Sequence, residues 1–174
     1  MIRVDSSAPL YAVPADAEGW RVYQGHRIKL GTRVWIGKGV SLGDGVVLGN
    51  DVMLERGVVL LDDVRLGDAV MLAPRVVLWG GVVLWPNVRL GHGVILLADV
   101  VYETTPLQIQ CHPCLVYPSS LTEIAVDSLS RPIAYWDTEP VELVAEHREL
   151  RPWRQYQTAI GLVKQWIQSQ TVPR

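Results

Sequence analysis

The sequence predicts an all-β solenoid followed by a C-terminal strand and helix extension. Three observations carry that expectation. Every sixth residue from Val22 through Ile28, Val34, Val40 and onward to Val94 and Val100 is a β-branched aliphatic. Two residues after each slot runs a second ladder, from Leu30, Ile36, Leu42 and Leu48 to Leu90 and Leu96, closed by Tyr102. The residue after the Leu slot is often small: Gly31, Gly37, Gly43, Gly49, Gly67, Ala73 and Gly91.

A period of six is a multiple of two and not of 3.6. In a strand, residues i and i+2 share a face, so each Val-x-Leu sends both aliphatics to one side. A helix would smear the same pattern around its axis. Valine and isoleucine also favour the pleated backbone. A single hexad cannot bury its own apolar face, so successive hexads must stack. The glycine after the Leu slot is read as the residue that lets the backbone turn a corner.

Taken in order, residues 1–21 are irregular, with Pro9, Pro14 and Gly19, and read as a lead-in that caps the first coil. An open solenoid end would expose core and unpaired strand edges, so a cap is required. Residues 22–102 form the repeat. Gln24 falls where the Leu ladder needs an aliphatic, which sets the start of the regular coil near Ile28. Residues 103–174 form the extension, opened by the break Glu103-Thr104-Thr105-Pro106. Leu107, Ile109, Cys111, Leu115 and Tyr117 alternate as one or two strands would. Ser119 to Pro132 reads as a connector. Thr138 with Pro140 offers a helix start, with Leu143, Val144 and Leu150 at helical spacing and a break or kink at Pro152. Trp153, Tyr156, Ile160, Val163 and Ile167 form a narrow seam, expected to dock on the solenoid or to pair with its own copies.

The repeat resembles that of the hexapeptide-repeat left-handed parallel β-helix superfamily. The hexads that carry the likeness include Ile36-Gly37-Lys38-Gly39-Val40-Ser41, Leu48-Gly49-Asn50-Asp51-Val52-Met53 and Leu90-Gly91-His92-Gly93-Val94-Ile95. The likeness covers roughly half the chain. It implies triangular coils of three hexads, so that positions eighteen apart stack, and it implies a homotrimer. On that stacking the outward residues fall into three columns. They are Lys29, Val47, Arg65, Val83 and Val101; Trp35, Met53, Met71 and Arg89; and Tyr23, Ser41, Val59, Val77 and Ile95. Trp35, Met53, Met71, Val59, Val77 and Ile95 are the expected interface residues, because apolar columns of that length are seldom left in water. Trp79, Trp85 and Leu97 stand where the pattern expects glycine, and packing against the extension is the reading preferred over a hydrophobic ligand.

The likeness also frames the chemistry. Acyltransferases of this fold are similar in carrying a catalytic histidine at a corner beside the subunit interface. Carried across, His92 would be the general base on a hydroxyl or amine attacking a coenzyme A thioester, a task suited to a pKa near working pH. Lys38 and Arg56, below it in the same column, would then meet a cofactor phosphate. Against this, no long loop interrupts the coils, the Val slots are all large, and no carboxylate is placed by sequence beside His92. Zinc-dependent relatives gather three histidines from two subunits, and here only His92 of the four histidines lies within the regular repeat. Cys111-His112-Pro113-Cys114 lacks the second ligand pair that a zinc site needs and reads as a turn between strands. No resident metal or cofactor is expected.

Net charge is −2 over 174 residues, which points away from a nucleic-acid or acidic-membrane binder. No apolar run approaches the roughly 18 residues of a membrane span, and Met1 to Ser7 lacks the apolar core of a signal peptide. Two cysteines are too few for a disulfide framework. A cytoplasmic protein is expected. Three functions stay open. The first is a non-catalytic homotrimeric scaffold or binding module, with a possible protein partner and with small or phage-encoded solenoids as similar proteins. The second is the acyltransferase. The third is sequestration of a small anionic ligand by Lys38, Arg56 or Arg89 between subunits.

Overall fold

The computed structural model describes residues 1–111, 114–126, 129–137 and 154–171. Two compact units divide the chain, residues 1–105 and 106–174. The first is a parallel β-solenoid of about four turns. Its strands are only two to five residues long, because each hexad supplies one Val-x-Leu and then a corner.

Three sheets run along the solenoid. Sheet A stacks β1 (Ile2–Val4), β5 (Val40–Leu42), β8 (Val59–Leu60), β11 (Val77–Leu78) and β14 (Ile95–Leu96). Sheet B stacks β2 (Trp20–Tyr23), β3 (His26–Leu30), β6 (Val46–Leu48), β9 (Arg65–Leu66), β12 (Val83–Leu84) and β15 (Val101–Tyr102). Sheet C stacks β4 (Trp35–Ile36), β7 (Met53–Leu54), β10 (Met71–Leu72) and β13 (Arg89–Leu90). Partners within the coils are parallel and eighteen residues apart, as in Trp35 beside Met53 and Val77 beside Ile95. Both aliphatic ladders are buried from Val34 to Tyr102, with no member more than 8% exposed. Each buried valine or leucine removes apolar surface worth roughly 1.5–3 kcal/mol from water.

The corners follow one rule. The residue before each Val slot adopts a left-handed backbone, whether glycine (Gly39, Gly45, Gly57, Gly81, Gly93) or not (Arg33, Asp51, Asp63, Ala69, Arg75, Asn87, Asp99). The glycine after the Leu slot therefore has a different reason from the one expected. None of that set adopts a left-handed φ. A Cβ on Gly49 would lie 2.7 Å from the Gly67 carbonyl carbon and 2.8 Å from the Asp68 nitrogen. Glycine stands there because the next coil passes too close for a side chain.

Between these positions, side chains tie coil to coil. Asn50 Oδ1 accepts from Thr32 N at 2.8 Å, and Asp68 Oδ1 accepts from Asn50 N at 2.7 Å. Asp44 Oδ1 accepts from Arg27 N at 2.6 Å, and Asp62 Oδ1 from Asp44 N at 2.8 Å. Short polar side chains satisfy corner N–H groups that the backbone ladder leaves over.

The lead-in caps the foot of the solenoid on each sheet. β1 runs antiparallel to β5, setting Arg3 beside Ser41. β2 runs antiparallel to β3. Below sheet C, Tyr11 at the end of helix α1 (Ala8–Tyr11) donates to Gly31 O at 2.7 Å and accepts from Val34 N at 3.0 Å. Two assignments change. Val22 is 61% exposed, and Tyr23 pairs with His26 at the foot of sheet B instead of lying under Ser41 in sheet A. Gln24 and Gly25 both take positive φ, the geometry of a tight hairpin, so the chain reverses there and the six-residue count carries no structural meaning before β3.

The second unit is an antiparallel sheet of β16 (Ile109–Cys111), β17 (Cys114–Pro118), β18 (Glu123–Val126) and β19 (Leu129–Pro132). A 3-10 turn, Ile133–Asp137, and helix α2, Arg154–Thr171, complete it. The expected connector over Ser119 to Pro132 is thus mostly a strand pair, pinned by buried Ile124, Ala125 and Val126. The helical seam is present, but its destination differs from the expectation. Tyr156, Ile160, Val163 and Ile167 are buried with Val116, Ile124, Val126 and Trp136 in this unit's own core. Cys111 and Cys114 are register partners in the backbone pairing of β16 with β17. His112, Pro113, Thr138, Pro140, Leu143, Val144, His147, Leu150, Pro152 and Trp153 lie outside the described residues.

Candidate functional site

The outer face of sheet A gathers most of what the sequence flags. Val59, Val77 and Ile95 stack there on successive coils, and Leu61, Trp79 and Leu97 follow each strand's last residue at the corner that leaves the sheet. Trp79 is 49% exposed; the other five are partly exposed. Of these, Trp79 and Leu97 were read as corner anomalies together with Trp85, and Leu61, at the equivalent place one coil below Trp79, was not singled out. The other expected interface residues, Trp35, Met53 and Met71, stack on the outer face of sheet C, with Trp35 51% and Met53 36% exposed. The expected interface residues therefore occupy two faces.

Sheet A is bordered by two edges of opposite character. The edge leading into it, between sheets C and A, carries Lys38, Arg56, Arg75 and His92, all exposed. Backbone bonds stack these corners directly: Gly57 N to Lys38 O, Arg75 N to Arg56 O, and Gly93 N to Pro74 O, each at 3.0–3.1 Å. Glu55 is the one carboxylate in those corners, and Asp5 joins them at the foot by accepting from Gly39 N at 2.7 Å. The edge leaving sheet A carries Asp44, Asp62, Asp63 and Asp99, with Arg27 at its foot. Among the described residues no ion pair engages Lys38, Arg56 or Arg75.

The third edge holds a two-pronged pair at one corner, Arg33 with Asp51, at 2.5 Å for both contacts. The hydrogen bond from the Arg33 guanidinium holds the Asp51 carboxyl below its usual range, and Asp51 in turn raises Arg33. Asp44 is also held low, first by the Arg27 backbone N–H; the charges of His26 and Arg27 add to it.

The structure thus brings His92, Lys38 and Arg56 onto one edge, as the column reading requires. Arg89 sits apart, on the outer face of sheet C beside Met71, its backbone N–H donating to Thr105 Oγ1 at 3.0 Å. His92 is exposed, and its imidazole makes no hydrogen bond to a described residue, so this chain's described groups do not fix its tautomer. Directly below it stands Pro74, which offers neither a side-chain partner nor an N–H. Among the described residues no three His, Cys, Asp or Glu side chains come together as a metal site, and no helix is long and apolar enough to cross a membrane.

No protein-family model matches the chain, and no curated protein or solved structure matches it. The function must be argued from the surface just described.

Proposed function

We propose that this chain is a non-catalytic, self-assembling scaffold or binding module of the hexapeptide-repeat, left-handed kind, built as a homotrimer. One observation carries the reading: the apolar column Val59, Val77 and Ile95 on the outer face of sheet A, with Leu61, Trp79 and Leu97 at the corners that follow it on the same coils. A soluble chain seldom leaves a contiguous patch of that size in water, and such a patch marks an interface. The rigid ladder beneath it makes the patch a flat, preformed surface, which lowers the ordering cost of association. The strand-and-helix unit is then the adaptor to a protein partner. Static light scattering at micromolar concentration tests this. A mass of three chains is the expected result, and a single-chain mass rejects it.

Lys38 and Arg56, which make no ion pair among the described residues, favour a second reading, a small anionic ligand held at that edge. A thermal-shift panel of nucleotides and coenzymes checks it, since a tight ligand raises the midpoint by mass action. The acyltransferase reading asks more of His92 than the described residues supply. Its test is thioester release from coenzyme A donors before and after His92→Ala, with loss of activity as the result that would revive it.

A further inference from the structure

We infer that the outer face of sheet A docks on a second copy of this chain in parallel orientation, with the basic edge of one copy against the acidic edge of the next. This rests on the self-assembly reading above and specifies which face, which direction and which charges. The juxtaposition lies in the corners. At the level of β5, Lys38 precedes the strand and Asp44 follows it. At β8, Arg56 precedes and Asp62 and Asp63 follow; at β14, His92 precedes and Asp99 follows. Arg75 stands at β11, between those levels, opposite Gly80 and Gly81.

Symmetry then selects the arrangement. Turning a copy about an axis parallel to the solenoid keeps every coil at its height and exchanges left for right across sheet A. Lys38 then meets Asp44 of the next copy, Arg56 meets Asp62 and Asp63, and His92 meets Asp99. Turning it about an axis along the strands inverts the stack and sets basic edge on basic edge. Opposite charges in register favour the first arrangement and like charges oppose the second. The same logic holds for a ring of two or of three, because in any closed ring the left edge of one copy adjoins the right edge of its neighbour.

The charges are available for the purpose. Among the described residues, Lys38, Arg56 and Arg75 have no ion-pair partner within the chain. Asp44 and Asp62 each engage one oxygen with a corner N–H, and a carboxylate keeps further acceptor sites.

Charge reversal along one edge at a time tests the proposal. The basic-edge variant is K38E/R56E, and the acidic-edge variant is D63R/D99R. The corners accommodate these changes: Asp62 stands at a place equivalent to that of Arg56, while Arg33 and Arg75 already occupy the left-handed corner position held by Asp63 and Asp99. Sedimentation velocity reads the assembly, with far-UV circular dichroism confirming the solenoid. Each variant should assemble about 100-fold more weakly than the parent at low salt, the effect of like charges set face to face. The chain carrying R56E together with D62R and D63R exchanges the charges at the level of β8 while Lys38 still faces Asp44 and His92 still faces Asp99, and it should regain assembly. The parent's own assembly should weaken as salt rises to about 1 M, where charges are screened beyond about 3 Å. A parent that assembles while both variants assemble equally well overturns the edge pairing and leaves self-assembly standing. So does a folded R56E/D62R/D63R chain that stays dispersed. A parent that is a single chain removes the underlying reading before any variant is made.

Discussion

Gly49 offers a sharp test of how the coils are held apart. A methyl group added there would meet the Gly67 carbonyl carbon at 2.7 Å, the Asp68 nitrogen at 2.8 Å and Asp68 Oδ1 at 2.6 Å. All three are below any normal carbon contact, and two belong to backbone that cannot swing aside. The coils must separate by several tenths of an ångström, which strains Gly49 N to Leu66 O at 2.8 Å and Asn50 N to Asp68 Oδ1 at 2.7 Å. Overpacking of this kind costs about 1–3 kcal/mol, and each weakened hydrogen bond adds about 1 kcal/mol. Gly49→Ala should therefore cost about 2–4 kcal/mol. Gly93→Ala is the control. Gly93 has φ +72° but no atom within 4 Å of an added Cβ, so only the left-handed backbone is penalised, by about 1–2 kcal/mol. Urea unfolding followed by far-UV circular dichroism measures both, read as a shift in midpoint at unchanged slope. Equal, small losses would refute the close-approach account. The corner would then be re-forming along the course it takes at Leu61 and Ala73, where the same position carries a side chain.

Other outcomes follow from the core, the corners and the second unit. Leu66→Ala, at a site 1% exposed, should cost about 2–5 kcal/mol, whereas Val22→Ala, 61% exposed, should stay within about 0.5 kcal/mol despite its place in the six-residue count; thermal midpoints separate them. The Asp44 carboxyl is held below its usual range, so it favours the folded chain above the unfolded value near pH ~3.9, and that contribution is lost as pH falls through its lowered folded value. Urea midpoints taken down to about pH 3 should fall less steeply for Asp44→Asn than for the parent. Trp136 Nε1 donates to Ile124 O at 3.0 Å and to Arg131 O at 3.2 Å, from a site 2% exposed. Trp136→Phe should destabilise the second unit by about 1–3 kcal/mol, visible as faster amide exchange in β18 with the solenoid's exchange unchanged.

The solenoid core was legible because its signal is redundant. From Ile28 on, each coil repeats the same pair of inward aliphatics, so one misread residue cannot shift the register. Val22 misled for the same reason. It keeps the beat by accident, and only the turn at Gln24 and Gly25 tells that the chain has reversed. The foot strands were invisible as strands because β1 and β2 stand outside the period, and Ile2 and Val4 alone make too short an alternation to stand out. The corner rule was half visible. Glycine after the Leu slot drew attention, yet the left-handed position lies two places later, where Asp, Asn and Arg share the duty with Gly39 and Gly45 and dilute the pattern. The charged edges needed a third reading frame. Counted in sixes, Lys38, Asp44, Asn50, Arg56 and Asp62 look mixed; counted in eighteens, Lys38 joins Arg56 and Asp44 joins Asp62. In the second unit β18 was missed because Ile124, Ala125 and Val126 are buried consecutively, without the polar alternation that marks a strand open on one side.

The antiparallel strands β1 and β2 also give the stack a direction of growth. A parallel coil offers its successor the same hydrogen-bonding rim that it used on its predecessor, and nothing in the repeat itself says where to stop. Reversing the last strand at the foot presents a rim out of phase with any further parallel coil, and the Tyr11 hydroxyl occupies the third side. Polymerisation end on end, the standing hazard of a repetitive ladder, is therefore blocked at the foot by residues 1–25, which take no part in the repeat. Their removal would leave a template for filaments.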